Sequence, residues 1–170
     1  MFILLPLFAV LSLSFQLFCM LCVNWWAPLF CDATGWLPNW LAWVQTFDDT
    51  LDAGKRDGLY PNSSVFWSRV FWLYRNSGYG FDYWALGTGF NSSQWTIKSM
   101  DLIPASFTFY AIGPRGTFNL DVVRGPIHLK LGWKAWNMYN QYSHPPGWRP
   151  VAWGPQWRIP FVFSISLYKG

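Results

Sequence analysis

The chain opens on an unbroken apolar stretch. From Phe2 to Phe30 no side chain is charged, and the first that is charged is Asp32. An α-helix rises about 1.5 Å per residue, so about 20 apolar residues cross a ~30 Å hydrocarbon layer. The stretch exceeds that length, and residues 1–31 are read as a transmembrane anchor that can tilt or rest both ends in the interface. Pro6 falls in its first turns, where proline is tolerated, and Pro28 lies near its exit. A cleaved leader would need a basic start and small residues before the cut. No Lys or Arg precedes Lys55, and Cys19-Met20-Leu21-Cys22 fits a cleavage site poorly. The alternative to a span is a re-entrant hairpin broken near Gln16 or Asn24.

After the anchor the pattern becomes aromatic and interrupted. Residues 32–61 are read as an interfacial helix opened by Pro38 and running to Gln45, followed by an acidic loop from Thr46 to Gly54. Asp48, Thr50 and Asp52 sit at calcium-loop spacing. Ala53 and Leu59 then occupy positions that need Gly and Glu, so a solvated loop is expected. In residues 62–93, Asn62-Ser63-Ser64 caps a helix from Val65 to Arg75, and Asn76-Ser77-Gly78 ends it. That helix is apolar nearly all round, with Arg69 and Arg75 its only charges. It either packs on the following sheet or lies in a membrane interface with both Arg reaching phosphates. Gly78-Tyr79-Gly80 and Gly87-Thr88-Gly89 are too short and poorly placed for a phosphate loop, and Gly87-Thr88-Gly89 is expected to be a turn before the first strand.

From about Gln94 the period becomes two, and residues 94–170 are read as a β domain. The predicted strands are 94–100, 106–112, 117–123, 127–136 and 159–168. In the fourth, Ile127, Leu129, Leu131 and Trp133 form a buried face against a wet, basic face of His128, Lys130, Gly132 and Lys134. Gly113-Pro114-Arg115-Gly116 and Arg124-Gly125-Pro126 are tight turns, which makes the sheet an antiparallel meander. A long loop, residues 137–157, precedes the last strand. The predicted fold class is an α+β membrane protein: an N-terminal transmembrane helix, one or two short aromatic interfacial helices, and a meander of about five strands.

Charge and composition sharpen this picture. Residues 1–59 hold two basic and five acidic side chains, net −3, and residues 60–170 hold ten basic and three acidic, net +7. The basic half is attracted to anionic lipid and, less favoured, to nucleic acid. It tilts the C-terminal domain weakly towards the cytoplasm, although no Lys or Arg flanks the span closely. The chain carries fourteen Trp. Indole suits the membrane–water boundary, which makes Trp25, Trp26, Trp36, Trp40, Trp43 and Trp72, with Arg69 and Arg75, the candidate interface residues. Core filling is the other reading of these Trp.

Lys130, Trp133, Lys134, Trp136, Trp148, Arg149, Trp153 and Trp157 are a candidate binding surface for stacking and phosphate contact, unless they pack the loop on the sheet. Cys19, Cys22 and Cys31 all lie in the anchor region, and Cys19–Cys22 lacks a redox setting. Glu is absent, and the two histidines, His128 and His144, have no metal-ligand spacing. No catalytic residue, metal or cofactor is expected.

Several stretches together resemble a group of small membrane proteins of tailed bacteriophages of Gram-negative hosts, a group with no assigned activity. They are Leu37-Pro38-Asn39-Trp40-Leu41, the run Gln45-Thr46-Phe47-Asp48-Asp49-Thr50-Leu51-Asp52, the helix from Arg69 through Arg75-Asn76-Ser77-Gly78 to Phe81, and the closing Phe161 to Lys169. In that group the helix ends Arg-Asn-Pro and the acidic loop reads Pro-Asp-Asn; here Ser77 replaces the proline and Phe47-Asp48-Asp49 the tripeptide. The resemblance implies a phage origin and the host inner membrane, and it carries over no catalytic residue. The expected role is an accessory protein acting by interaction with the envelope and with an unidentified protein partner. The alternative is a virion or assembly component whose N-terminus inserts into protein or membrane.

Overall fold

The computed structural model describes residues 4–46, 49–103, 106–136 and 158–167. Helix α1 (Leu5–Cys22) starts with Pro6 in its first turn and runs unbroken through Gln16. A re-entrant break at that point is therefore absent, and the chain leaves the helix only before Asn24. A turn of 3-10 helix at Ala27–Phe30 follows. The predicted helix after Pro38 shrinks to a single 3-10 turn, Asn39–Leu41. Gln45 folds back so that its side-chain oxygen accepts from the Leu37 amide, which curls the segment instead of extending it.

Helix α2 (Ala53–Arg56) is one turn in the acidic segment. Helix α3 (Val65–Arg75) is capped by Ser64, whose hydroxyl accepts from the Trp67 amide. Its exit passes through Gly78 at φ +68°, a left-handed position natural to glycine. Helix α4 (Tyr79–Trp84) opens directly after Gly78.

The sheet follows its predicted outline. Strands β2 (Thr96–Asp101), β3 (Thr108–Ile112), β4 (Phe118–Arg124), β5 (Ile127–Trp133) and β7 (Phe161–Leu167) form an antiparallel sheet in the order β2-β3-β4-β5-β7. Arg115 and Gly116 turn β3 into β4 through positive φ, and Gly125-Pro126 turns β4 into β5. Two residues expected to be a turn, Thr88–Gly89, are strand β1, paired with β6 (Arg158–Ile159) as a separate two-stranded ladder.

Registers show which residues share a face. Phe109 lies opposite Asp121, Asp121 opposite Lys130, and Lys130 opposite Ser164. That face is not the wet one expected from His128 and Lys130, because Phe109, Ala111, Asn119, Asp121 and Val123 on it are buried. His128 Nε2 meets the buried Asp121 carboxylate at 2.6 Å, so polar side chains pair inside the fold instead of facing water. The other face carries the aligned apolar rows Leu120–Leu131–Phe163 and Val122–Leu129–Ile165.

Two buried clusters hold the molecule together. One gathers Leu86, Phe90, Trp95, Phe109, Trp133, Ile159 and Phe161, with Leu5, Phe8 and Ala9 of α1 packed against it. The other gathers Cys19, Val23, Ala27, Leu37, Leu41, Val44, Leu51 and Leu73, with Phe15 of α1 against it. Helix α1 therefore belongs to both, and it packs against elements of each of the later segments.

Candidate functional site

One face of α1 has polar side chains in its middle, and each has a partner. Ser12 and Gln16, one turn apart, share this face, and the Gln16 amide donates to Ser12 Oγ at 2.8 Å. The Ser12 hydroxyl in turn hydrogen-bonds the carboxyl of Asp82 on α4. Gln16 also reaches the carbonyl of Phe163 in the edge strand β7 at 3.4 Å. Asp82 is 2% exposed, and its Oδ1 has no hydrogen-bond partner among the described residues. Burial pushes its pKa up to about 8, against a smaller lowering by Ser12. The seam between α1, α4 and β7 is thus a short polar chain ending in a carboxyl that holds its proton at neutral pH.

A second polar joint lies where α1 ends. Asn24 Nδ2 donates to Ser77 Oγ at 2.7 Å and to the Leu73 carbonyl at 3.2 Å, satisfying acceptors at the end of α3. Tyr74 adds a bond from its hydroxyl to the Met20 carbonyl at 2.8 Å. Arg158 ties β6 to the end of α4 by donating to the carbonyls of Tyr83 and Trp84.

The opposite side of α1 is largely uncovered among the described residues, with Phe18 touched at its margin by the Trp43 ring. Leu7, Val10, Leu11, Leu17, Phe18 and Leu21 are 41–69% exposed and fall on one arc of the helix. Beyond the helix the exposed apolar residues continue with Trp25, Leu29, Phe30 and Trp40, the last two in edge-to-face contact. On α3, Trp67, Phe71 and Tyr74 recur at helical spacing and are exposed, with Trp67 stacked on Phe71.

The candidate interface residues divide accordingly. Trp25 and Trp40 are exposed at 56% and 57%. Trp26, Trp36, Trp43 and Trp72 are half-buried. The Trp26 and Trp43 indoles donate to the Cys22 and Trp40 carbonyls, and Trp43 packs on Phe15 and Phe18. Arg75 is exposed. Arg69 is committed to Asp52 through two bonds of 2.7 and 2.8 Å, which leaves its guanidinium turned into the protein. Asp49 is held the same way by Arg56. These carboxylates of the acidic segment are neutralised by arginine, and no cluster with metal-ligand composition occurs among the described residues.

The described residues of the candidate stacking surface do not present one open face. Trp133 is 2% exposed and donates its indole N–H to the Leu86 carbonyl. Trp136 packs its ring on Phe107 and Phe109, and Lys134 sits over the Tyr79 ring. Lys130 is half-buried beside Asp121 across the β4–β5 ladder. Trp148, Arg149, Trp153 and Trp157 lie outside the described residues, as does the loop that contains them.

Sequence reasoning did not identify Asp82, Ser12 or the capping role of Asn24. The usable signal was the pair Ser12 and Gln16, polar positions four apart inside an apolar helix. Comparison with curated proteins and with solved structures finds no match. A family model covers residues 1–170, and the chain belongs to that family, described as a family of unknown function (DUF7338).

Proposed function

We propose that this protein is a membrane-attached accessory protein that works by contact in a bacterial envelope, with α1 as its lipid-facing element. The carrying observation is the outward arc of α1, a charge-free and mainly apolar surface that is exposed from Leu7 to Leu21 among the described residues. Completing the burial of Leu7, Val10, Leu11, Leu17, Phe18 and Leu21 contributes on the order of 1 kcal/mol each. The exposed indoles of Trp25 and Trp40 follow at one end, where an aromatic belt belongs. The resemblance to phage membrane proteins suggests the host inner membrane as the setting.

The test is fractionation of the untagged full chain made in a Gram-negative bacterium, with an alkaline-carbonate wash. Retention in the washed membranes is the expected result. Release by carbonate, or recovery in purified phage particles at fixed copy number, would replace this reading with a virion role in which the apolar helix is covered by protein.

A further inference from the structure

The geometry points to a one-leaflet seat: α1 lies along the membrane surface, and the aromatic stripe Trp67–Phe71–Tyr74 of α3 rests on the same leaflet beside it. This inference rests on the membrane reading above and deepens it. It parts from the single span that length and hydropathy suggest.

The first argument is the docked side of α1. An 18-residue helix is about 27 Å long. Phe8 touches the rings of Trp133 and Phe161, Ser12 bonds Asp82, Gln16 reaches Phe163, and Cys19 and Val23 enter the second cluster. Contact with the rest of the protein therefore runs from one end of the helix to the other. Were the docked helix upright in the bilayer, strand β7, helix α4 and the end of α3 would stand at hydrocarbon depth beside it. An open sheet does not survive there, because its unpaired edge groups find no partners in lipid. Laid flat, the same helix puts its outward arc into the acyl boundary and keeps the sheet in water.

The second argument is continuity. The Tyr74–Met20 bond fixes the end of α3 against the last turn of α1. Tyr74, Phe71 and Trp67 lead away from that joint as one exposed row, while Val70, Leu73 and Ser68 face inward. Arg75 is exposed next to Tyr74, and its charge complements an anionic head group. The uncharged arc followed by indoles and a cation matches a leaflet, from acyl chain to phosphate, more closely than a protein groove. A second copy of the chain or another protein on this face is an outcome the experiment separates.

The experiment places one fluorophore at a time on the full chain by Leu7→Cys, Ser14→Cys, Leu21→Cys or Phe71→Cys, in a background of Cys22→Ala and Cys31→Ala. Cys19 stays, being fully buried. All four labelled positions are exposed, so the label leaves the buried clusters intact. The protein is bound to vesicles of phosphatidylethanolamine and phosphatidylglycerol, and depth is read by quenching from lipids carrying nitroxides at graded positions. Positions 7, 14 and 21 share one face. Equal, shallow depths at all three, with position 71 quenched to a similar depth, are expected. A graded series that passes through the bilayer centre from 7 to 21 overturns the flat seat and leaves the membrane reading standing as a span. Equal depths on α1 with position 71 unquenched remove α3 from the contact. Quenching at none of the four overturns the seat and the membrane reading together, and the face then belongs to protein.

Discussion

Asp82 illustrates how a single side chain ties packing to pH. Its carboxyl is buried in the seam, with the Ser12 hydroxyl as its hydrogen-bond partner and Cys19 of α1 as a further electrostatic neighbour. Lys134 and Arg158 reach α4 elsewhere, at the Tyr79 ring and at the carbonyls of Tyr83 and Trp84. Among the described residues, Asp82 has no salt bridge. With its pKa raised from 3.8 to about 8, the native state binds the proton more tightly than the unfolded chain. Stability is then complete below about pH 4, falls as pH rises towards 8, and levels off above it. The loss is on the order of a few kcal/mol. Asp82→Asn removes the charge while keeping an acceptor for Ser12. Denaturant titrations of the detergent-solubilised chain should show a pH-dependent midpoint for the native protein and a flatter one for the variant. The variant should be the more stable of the two at pH 9. An identical slope in both would mean that Asp82 is not the titrating group.

At the level of elements, α4 depends on close approach more than on local preference. The Phe81 amide donates to the Trp43 carbonyl at 2.8 Å, and the helix sits so near that turn that a Cβ on Gly80 would lie 2.1 Å from the Ala42 carbonyl oxygen. Gly80→Ala should therefore cost about 1–3 kcal/mol or more, read as a lowered unfolding midpoint, because backbone must move to admit the methyl group. This also explains why α4 was not legible in the sequence. Six residues between and among glycines have weak helix preference, and their helicity comes from the neighbour they rest on. The five-strand sheet was legible for the opposite reason. Alternation in residues 127–133 and 161–167 and the Gly-Pro turns act locally, and they set the strands nearly where they stand. Alternation separates two faces without saying which is wet, so His128, which pairs with the buried Asp121, was read as solvated. The β1–β6 ladder joins two-residue strands some 70 residues apart, and no periodic signal exists at that length. The candidate site was half legible. The uncharged length of α1 and the exposed Trp25 and Trp40 were readable, but its docked face was not. That face differs from the outer arc by little more than Ser12 and Gln16, and apolar contact with protein and with lipid leave the same pattern.

For the molecule as a whole, the decisive feature is that α1 is an integral piece of both hydrophobic clusters. An appended anchor could be removed to leave a folded domain behind, and many single-span proteins are made soluble in that way. Here removal of residues 1–23 takes Leu5, Phe8 and Ala9 from one cluster, and Phe15, Cys19 and Val23 from the other. It also uncovers Asp82 and the edge strand β7 where Gln16 now reaches the Phe163 carbonyl. Deleting one large buried side chain costs about 2–5 kcal/mol, and a domain's whole stability is about 5–15 kcal/mol. The simultaneous loss of six packed side chains exceeds that margin. The shortened chain should therefore fail to fold: dispersed amide resonances should be absent, and proteolysis should cut within β5 and β7 as readily as in loops. The full chain in detergent should resist on the same timescale. A shortened chain that folds with the sheet intact would mean that α1 merely rests on the domain, and the flat seat would then lose its first argument, since a helix free to leave is also free to stand upright. The coupling also works in the other direction. Because the same helix completes the core and presents the exposed apolar arc, the proposed membrane surface would exist only once the fold is made, and a change in the seam would alter that surface without touching an exposed residue. Ser12→Leu is the case to measure. It removes the hydroxyl partner of Asp82 and forces a larger side chain into a fully buried position. It should lower the unfolding midpoint and, on the proposed seat, weaken the quenching expected at positions 7, 14 and 21, although position 12 itself is fully buried.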